Sequence, residues 1–155
     1  MEEANPYAPP KADTAPAEPA AEGAAPAYKL YTPGQIFLAT FLGTPIAGMY
    51  LLSANRRRLG HASLATMTLI GGLALGAVLL VLASVVPAGG ARSLSLGITI
   101  AVGYYARTDQ PLLDAHLAKG GRKESTWKAA GIGVAALVAF MAVFVAVMAI
   151  NGELD

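Results

Sequence analysis

The sequence predicts an all-α fold, a polytopic helical membrane protein with about four transmembrane helices in a small bundle and a disordered N-terminal tail. The chain of 155 residues is 55% hydrophobic and 14% charged, which is too apolar for a soluble domain that must cover itself with water-facing groups. The apolar residues also come in long uncharged blocks instead of the periodic stripes of one-sided helices. We therefore interpret residues 31–155 as a helical membrane domain.

The tail, residues 1–30, lacks the apolar side chains that a folded core needs. Its first 27 residues hold six of the ten prolines, and Tyr7 is their only large hydrophobic residue besides Met1. Backbone entropy is then uncompensated, and disorder is expected. The tail is either a passive spacer or, through residues 5–10 (Asn-Pro-Tyr-Ala-Pro-Pro), a peptide that docks in an aromatic-lined groove.

Three blocks predict membrane spans directly: residues 35–54, 64–86 and 128–150. Apart from Lys128 at the start of the last block they carry no charge, and each approaches or exceeds the roughly 20 residues that cross the hydrocarbon core. Pro45 lies inside the first block and predicts a kink, with Thr44 available to bond a freed carbonyl. The kink is either a hinge or a fixed packing feature.

The fourth span, residues 89–106, depends on charge as well as on hydropathy. Its apolar part, residues 94–106, is short enough to be re-entrant or interfacial instead. The basic loops, residues 55–63 and 107–127, hold with Lys128 eight of the eleven Lys and Arg residues. If both loops are cytoplasmic, an even number of crossings separates them, and this block must span.

This solution places both termini outside a bacterial inner membrane, with the two basic loops in the cytoplasm. The acidic residues of the tail and of the C-terminal end agree with that orientation. Lys29 lies beside the first span on the outer side and argues against it.

Small residues four apart predict close helix packing, because missing side chains let backbones approach. Their partners are either other helices of this chain or a second copy. The pairs are Gly43 with Ala47, Gly72 with Gly76, and Gly131 with Ala135.

Basic and aromatic residues near the span ends predict contact with anionic lipid headgroups. Within the second basic loop, Pro111 and Gly120 predict the start and end of a short helix that carries Leu113 and Leu117 on one face. The headgroup candidates are Arg56, Arg57, Arg58, Arg122, Lys123, Lys128 and Trp127.

Reactive groups are scarce, and we expect no catalytic residues, no metal and no cofactor. The chain has no cysteine, which excludes disulfides and thiol chemistry. His116 with Asp109 or Asp114 is the only cluster with acid–base character, and it lacks a nucleophile and an oxyanion partner. The three uncharged spans also lack the ionisable groups that carriers and proton pumps use.

Several segments resemble small, uncharacterised bacterial multi-span proteins of the inner membrane. The resemblance runs from Tyr31-Thr32-Pro33-Gly34-Gln35-Ile36 through residues 39–48 to Asn55, and returns at residues 116–121 and 125–128. It implies a bacterial inner-membrane location and carries no activity.

Three functions follow in order of preference. The first is a non-enzymatic accessory or scaffold subunit of a membrane complex. The second is a small oligomeric transporter or channel, and the third is a membrane-embedded lipid-modifying enzyme. The expected partners are the bilayer, its anionic headgroups and either another membrane protein or a second copy, with no nucleic acid.

Overall fold

A computed structural model describes residues 25–85 and 88–150. The predicted docking peptide and nearly all of the predicted disordered tail lie outside these ranges. The described residues form six helices and two strands of two residues, joined by short turns, which confirms the all-α class. The elements are β1 (Lys29–Leu30), α1 (Pro33–Leu42), α2 (Pro45–Arg58), α3 (Ala62–Val85), α4 (Ala88–Arg107), α5 (Gln110–Ala118), β2 (Arg122–Lys123) and α6 (Thr126–Ile150).

The first predicted span, residues 35–54, is not one kinked helix. It consists of α1 and α2, which run antiparallel as a helical hairpin. Near the turn, Gly48 of α2 lies against the side chain of Thr40 of α1. At the far end, the backbone N–H of Tyr31 donates to Asn55 over 2.8 Å. The prediction of one continuous helix over this segment is therefore wrong, and both ends of the segment lie at the same end of the bundle.

The chain reverses at Gly43 and Thr44, immediately before Pro45. Thr44 is extended, with φ −143° and ψ 165°, because the proline ring disfavours helical geometry in the residue before it. Pro45 is then the first residue of α2, a position where its missing N–H leaves no bond unmade. Pro45 therefore begins a helix, and the predicted kink within a continuous helix is wrong.

The hairpin is the centre of the bundle. α1 packs against α4 and α6, and α2 packs mainly against α3. Glycines permit the closest contacts: Gly103 of α4 meets Phe37, and Gly133 of α6 meets the backbone of Ala39. The buried apolar side chains of the hairpin are Ile36, Ala39, Ala47, Leu51 and Leu52.

The predicted small-residue pairs divide into two groups. Gly72 and Gly76 lie against Met49 and Ile46 of α2, so this pair packs within the chain. Gly43, at the hairpin turn, meets the backbone of Gly133, and Ala47 is buried.

The pair on α6 behaves differently. Gly131 faces open space, Ala135 is exposed, and Gly133 makes the internal contact instead.

Within the residues that the structure describes, two helices are long and apolar enough to cross a membrane, over Ala62–Leu82 and Thr126–Ile150. Their most apolar windows are only 22% and 6% buried, unlike the core helix of a soluble protein. They correspond to the predicted spans 64–86 and 128–150. The predicted span 89–106 is one continuous helix of 20 residues, α4, but it is not among the span-length apolar helices.

The segment before α1 lies beside the second basic loop. Lys29 and Leu30 pair in parallel with Arg122 and Lys123, and the backbone N–H of Glu124 donates to the Leu30 carbonyl over 2.9 Å. The four-span prediction puts Lys29 on the opposite side of the membrane from this loop. The backbone pairing of Lys29 with Arg122 contradicts that arrangement. The predicted loop helix is present as α5, which ends at Ala118. Gly120, just beyond the cap residue Lys119, has φ +79°, the left-handed geometry that glycine adopts without strain.

Candidate functional site

The side-chain hydrogen bonds centred on Arg56, Asn55 and Glu124 lie at the end of the bundle where α1 begins and α2 ends. Arg56 is at the centre of this group. Arg56 is only 3% exposed. Its Nε donates to Oδ2 of Asp109 over 2.8 Å and its Nη2 to Oδ1 over 3.1 Å. Its Nη1 donates to the Thr68 hydroxyl and, over 2.9 Å, to the Tyr105 hydroxyl. One guanidinium thus joins α2, α3, α4 and the start of α5.

This arrangement satisfies a charge that would otherwise be costly to bury. The bidentate arginine–carboxylate pair forms two charge-assisted hydrogen bonds, which are stronger than bonds between neutral groups, and the Tyr105 ring adds a cation–π contact at 4.8 Å. The headgroup prediction is therefore wrong for Arg56, because its side chain points into the bundle and every nitrogen of its fork has a partner.

Asn55 closes the base of the hairpin. Its side chain accepts from the Tyr31 N–H and donates to the Tyr31 carbonyl over 2.7 Å, so it pairs with the backbone as a neighbouring strand would. Both groups are buried. The side-chain amide therefore fixes where the chain enters α1 relative to where it leaves α2.

Glu124 connects the loop before α6 to the hairpin. Its carboxylate accepts from Lys128 over 3.0 Å and from Arg58 over 3.3 Å, while its backbone carbonyl accepts from Gln35 over 2.7 Å. Burial raises the pKa of Glu124, but the hydrogen bond and charge of Lys128, the Ser125 N–H and the charge of Arg58 together hold this pKa below its ordinary value.

The cluster suggested by sequence around His116 is not assembled as an acid–base site. Asp109 is committed to Arg56, and Asp114 accepts a hydrogen bond from Gln110. His116 is buried, stacks on Tyr28 with 4.8 Å between ring centroids, and leaves Nδ1 without a partner. In the described ranges, no group of three or more potential ligands could hold a metal ion.

The other headgroup candidates lie at the surface of the same end. Arg58 is half-buried between Glu124 and the Tyr31 ring. Trp127 is 85% exposed, as expected of an interfacial anchor. The remaining candidates are exposed: Arg57, Arg122, Lys123 and Lys128. Contact of these residues with headgroups stays a prediction.

A second feature lies at the opposite end of the hairpin, where the turn meets the three long helices. It is a cavity of about 250 Å³. Thr44 lines it and is buried, and in the part of the chain that the structure describes its hydroxyl has no hydrogen-bond partner. The sequence suggested only that this hydroxyl would bond a freed carbonyl, which it does not do. The other lining residues are Gly43, Pro45, Leu79, Leu82, Leu94, Ser95, Leu137, Phe140 and Met141.

No family model matches this chain, and no curated protein or solved structure is significantly similar to it. The resemblance to bacterial multi-span proteins therefore stays an expectation. Function is inferred from the placement of polar and apolar side chains alone.

Removing the charge of Asp109 should destabilise the protein strongly. Asp109→Asn leaves the Arg56 guanidinium buried without a counter-charge, and breaking a buried pair in this way costs roughly 3 kcal/mol or more. Replacing both partners, by Arg56→Met with Asp109→Leu, should restore most of that loss, because no charge then remains buried. Equilibrium unfolding in mixed micelles, followed by circular dichroism, measures both.

Arg57→Met is the matched control for the pair, because Arg57 is the neighbouring arginine and is exposed. It should change the free energy of unfolding by no more than about 0.5 kcal/mol. An Asp109→Asn variant as stable as this control would contradict the structural role given to Arg56.

Acid should weaken the connection made by Glu124. Because the pKa of Glu124 is lowered in the folded state from 4.5, its stabilising contribution is complete above that value and is lost as pH falls through the lowered pKa. The free energy of unfolding of the native chain should therefore decline more than that of Glu124→Gln between about pH 5 and about pH 3. Parallel pH profiles for the two proteins would refute this role of Glu124.

Proposed function

We propose that the chain is an integral membrane protein that crosses the bilayer three times, through α3, α4 and α6. The α1–α2 hairpin enters from the basic end and returns to it. The low burial of the two span-length helices supports this placement, since apolar faces that nothing else covers need lipid or a partner. Re-entrant segments at membrane depth are tolerated where protein buries them, and the three long helices surround this hairpin.

The crossing by α4 is supported by its two ends. Arg56 contacts Thr68 near the start of α3 and Asp109 just after α4. The chain therefore leaves this end along α3 and comes back along α4. At about 1.5 Å rise per residue, the 20 residues of α4 cover roughly 30 Å, the thickness of the hydrocarbon core.

The orientation follows from the distribution of charge. The basic end carries Lys29 as well as both basic loops, and an excess of Lys and Arg favours the cytoplasm. We place this end in the cytoplasm, in a bacterial inner membrane, and the end of α6 on the outer side. Lys29, which argued against the four-span topology, supports this three-span topology.

Cysteine labelling tests the topology. Because the sequence contains no cysteine, each single substitution introduces a unique thiol. Lys29→Cys and Lys123→Cys should react with a membrane-impermeant maleimide only after permeabilisation, and Ile150→Cys should react in intact cells. Labelling of Lys29→Cys but not of Lys123→Cys in intact cells would mean that the first segment crosses the membrane, and would overturn the re-entrant hairpin. Labelling of both would reverse the orientation.

Within that membrane, we propose a non-enzymatic role as an accessory or scaffold subunit that binds another transmembrane helix. The observation that carries this proposal is the exposure of α6, whose most apolar window is only 6% buried. α6 rests on the hairpin through Gly133. The outward side offers Gly131 and Ala135, four residues apart, where a partner backbone could approach closely.

The polar groups support the same role. The buried Arg56, Asn55 and Gln35 each bond to other parts of the chain, so they hold the fold together. A rigid bundle with an uncovered apolar helix is suited to holding a partner in place.

A bulky side chain on the outward face of α6 should release the partner. Gly131→Ile should abolish co-purification of the partner, or of a second copy, in mild detergent, because small residues set the closeness of such contacts. Gly97→Ile is the control, since Gly97 of α4 also faces open space. A solitary native monomer under several gentle conditions, or equal recovery with both variants, would count against the scaffold.

A small oligomeric transporter or channel is the second candidate. It is favoured by the position of the N-terminus of α2, because α2 begins inside the bundle. Helix ends at membrane depth are where transporters hold ions and substrates. The apolar cavity beside it suits a hydrated ion poorly. A solute leak in reconstituted vesicles would favour this candidate over the scaffold.

The third candidate is a membrane-embedded lipid-modifying enzyme. It requires that His116→Ala abolish the activity, and an unchanged phenotype in that variant would exclude it.

A further inference from the structure

The cavity at the hairpin turn is lined by two hydroxyl side chains, those of Thr44 and Ser95, within otherwise apolar walls. Thr44 is buried, with 7% of its surface exposed, and its hydroxyl oxygen has no hydrogen-bond partner among the described residues. A buried hydroxyl without a hydrogen bond lowers stability, because it has lost water and gained nothing in return. A bound molecule that supplied an acceptor would recover that loss.

The first turn of α2 also favours a hydrogen-bond acceptor at this point. Thr44 is the N-cap of this helix of 14 residues but makes no side-chain cap bond, and Pro45 follows it. Pro45 has no N–H and the Ala47 N–H donates to the Thr44 carbonyl over 2.9 Å, so the helix end contributes mainly the partial positive charge of a helix N-terminus. The hydroxyl donor and the positive helix end therefore both favour an electronegative oxygen at this point.

The chemistry of the side chains that line the cavity restricts which molecules can supply the acceptor oxygen. The walls are formed by side chains that include Leu79, Leu137 and Phe140, and none of the described residues that line the cavity is charged. A carboxylate or a phosphate would lack a counter-charge there and would be costly to desolvate. A neutral carbonyl oxygen on an apolar body meets both requirements.

The size of the cavity sets a limit on the part that enters it. Its volume of about 250 Å³ lies just below the range of about 300 to 1,000 Å³ typical of pockets for drug-sized ligands. A single substituted ring fits this description, and a complete phospholipid does not.

We propose that this cavity binds a neutral, lipid-soluble carbonyl compound of the quinone class, whose carbonyl oxygen accepts a hydrogen bond from the Thr44 hydroxyl. The inference goes beyond the scaffold role. It depends on the proposed membrane placement only for the route by which such a molecule arrives, since binding itself is measurable in detergent.

Two probes of matched shape isolate the hydrogen bond. Duroquinone is a ring with four methyl groups and two carbonyl oxygens, and durene is the corresponding hydrocarbon without oxygen. The thermal unfolding of the full chain in detergent is measured with each. Duroquinone should raise the unfolding temperature of the native chain more than durene does, with the rise increasing with concentration as binding to the folded state requires.

Thr44→Val removes the donor while keeping the shape of the side chain. The affinity for duroquinone should fall roughly 3- to 10-fold, as expected for one lost hydrogen bond, and durene should be unaffected. Thr44→Ser keeps the hydroxyl and should retain the preference for duroquinone. Without ligand, Thr44→Val should unfold at the same or a higher temperature than the native chain, because the hydroxyl it removes is unpaired.

Thr66→Val is the matched control, because Thr66 is exposed on α3 and its hydroxyl already bonds the Ala62 carbonyl over 3.0 Å. It should leave duroquinone binding unchanged. Equal shifts from duroquinone and durene, or equal duroquinone affinity in the native chain and Thr44→Val, would mean that the cavity only accepts apolar bulk, and would overturn the proposal. Cysteine labelling of the topology is a separate measurement, so failure of the membrane placement is distinguishable from failure of this site.

Discussion

The burial of one guanidinium constrains much of this structure. Arg56 is 3% exposed and can be so only where a carboxylate and several oxygen acceptors converge on it. Those partners come from α3, from α4 and from the start of α5. The end of α2 must therefore lie beside the start of α3 and the end of α4. With Tyr31 held by Asn55, α1 must begin at this end as well, and the segment of α1 and α2 has to turn back on itself.

The sequence identified the helices well where composition alone decides them. The blocks at residues 64–86 and 128–150 correspond to the two span-length helices, and Gly120 takes the left-handed geometry just after α5. The hairpin could not be found in this way, because a proline within an uncharged block is compatible with both a kink and a reversal. The choice between them depends on contacts distant in sequence, such as those of Asn55 with Tyr31 and Gly133 with Ala39.

At the candidate site, too, composition alone could not assign the role of each residue. Arg56, Arg57 and Arg58 are identical in type and adjacent in sequence, yet successive residues of a helix point about 100° apart. One is therefore buried against Asp109, one is exposed, and one lies between Glu124 and Tyr31. Composition predicts that this end of the bundle is basic. It does not predict which arginine holds the fold together and which remain free for lipid.

The threonines distinguish the two ends of the hairpin. The hydroxyls of Thr40, Thr68 and Thr99 each bond the carbonyl four residues earlier in their own helix, a local solution that needs no ligand. Thr44 cannot use it, because Thr44 stands at the turn, where the chain leaves one helix before entering the next. A valine would suit that extended backbone and would bury no unpaired oxygen. The fold as described therefore does not require the hydroxyl of Thr44, whereas an acceptor bound in the cavity would.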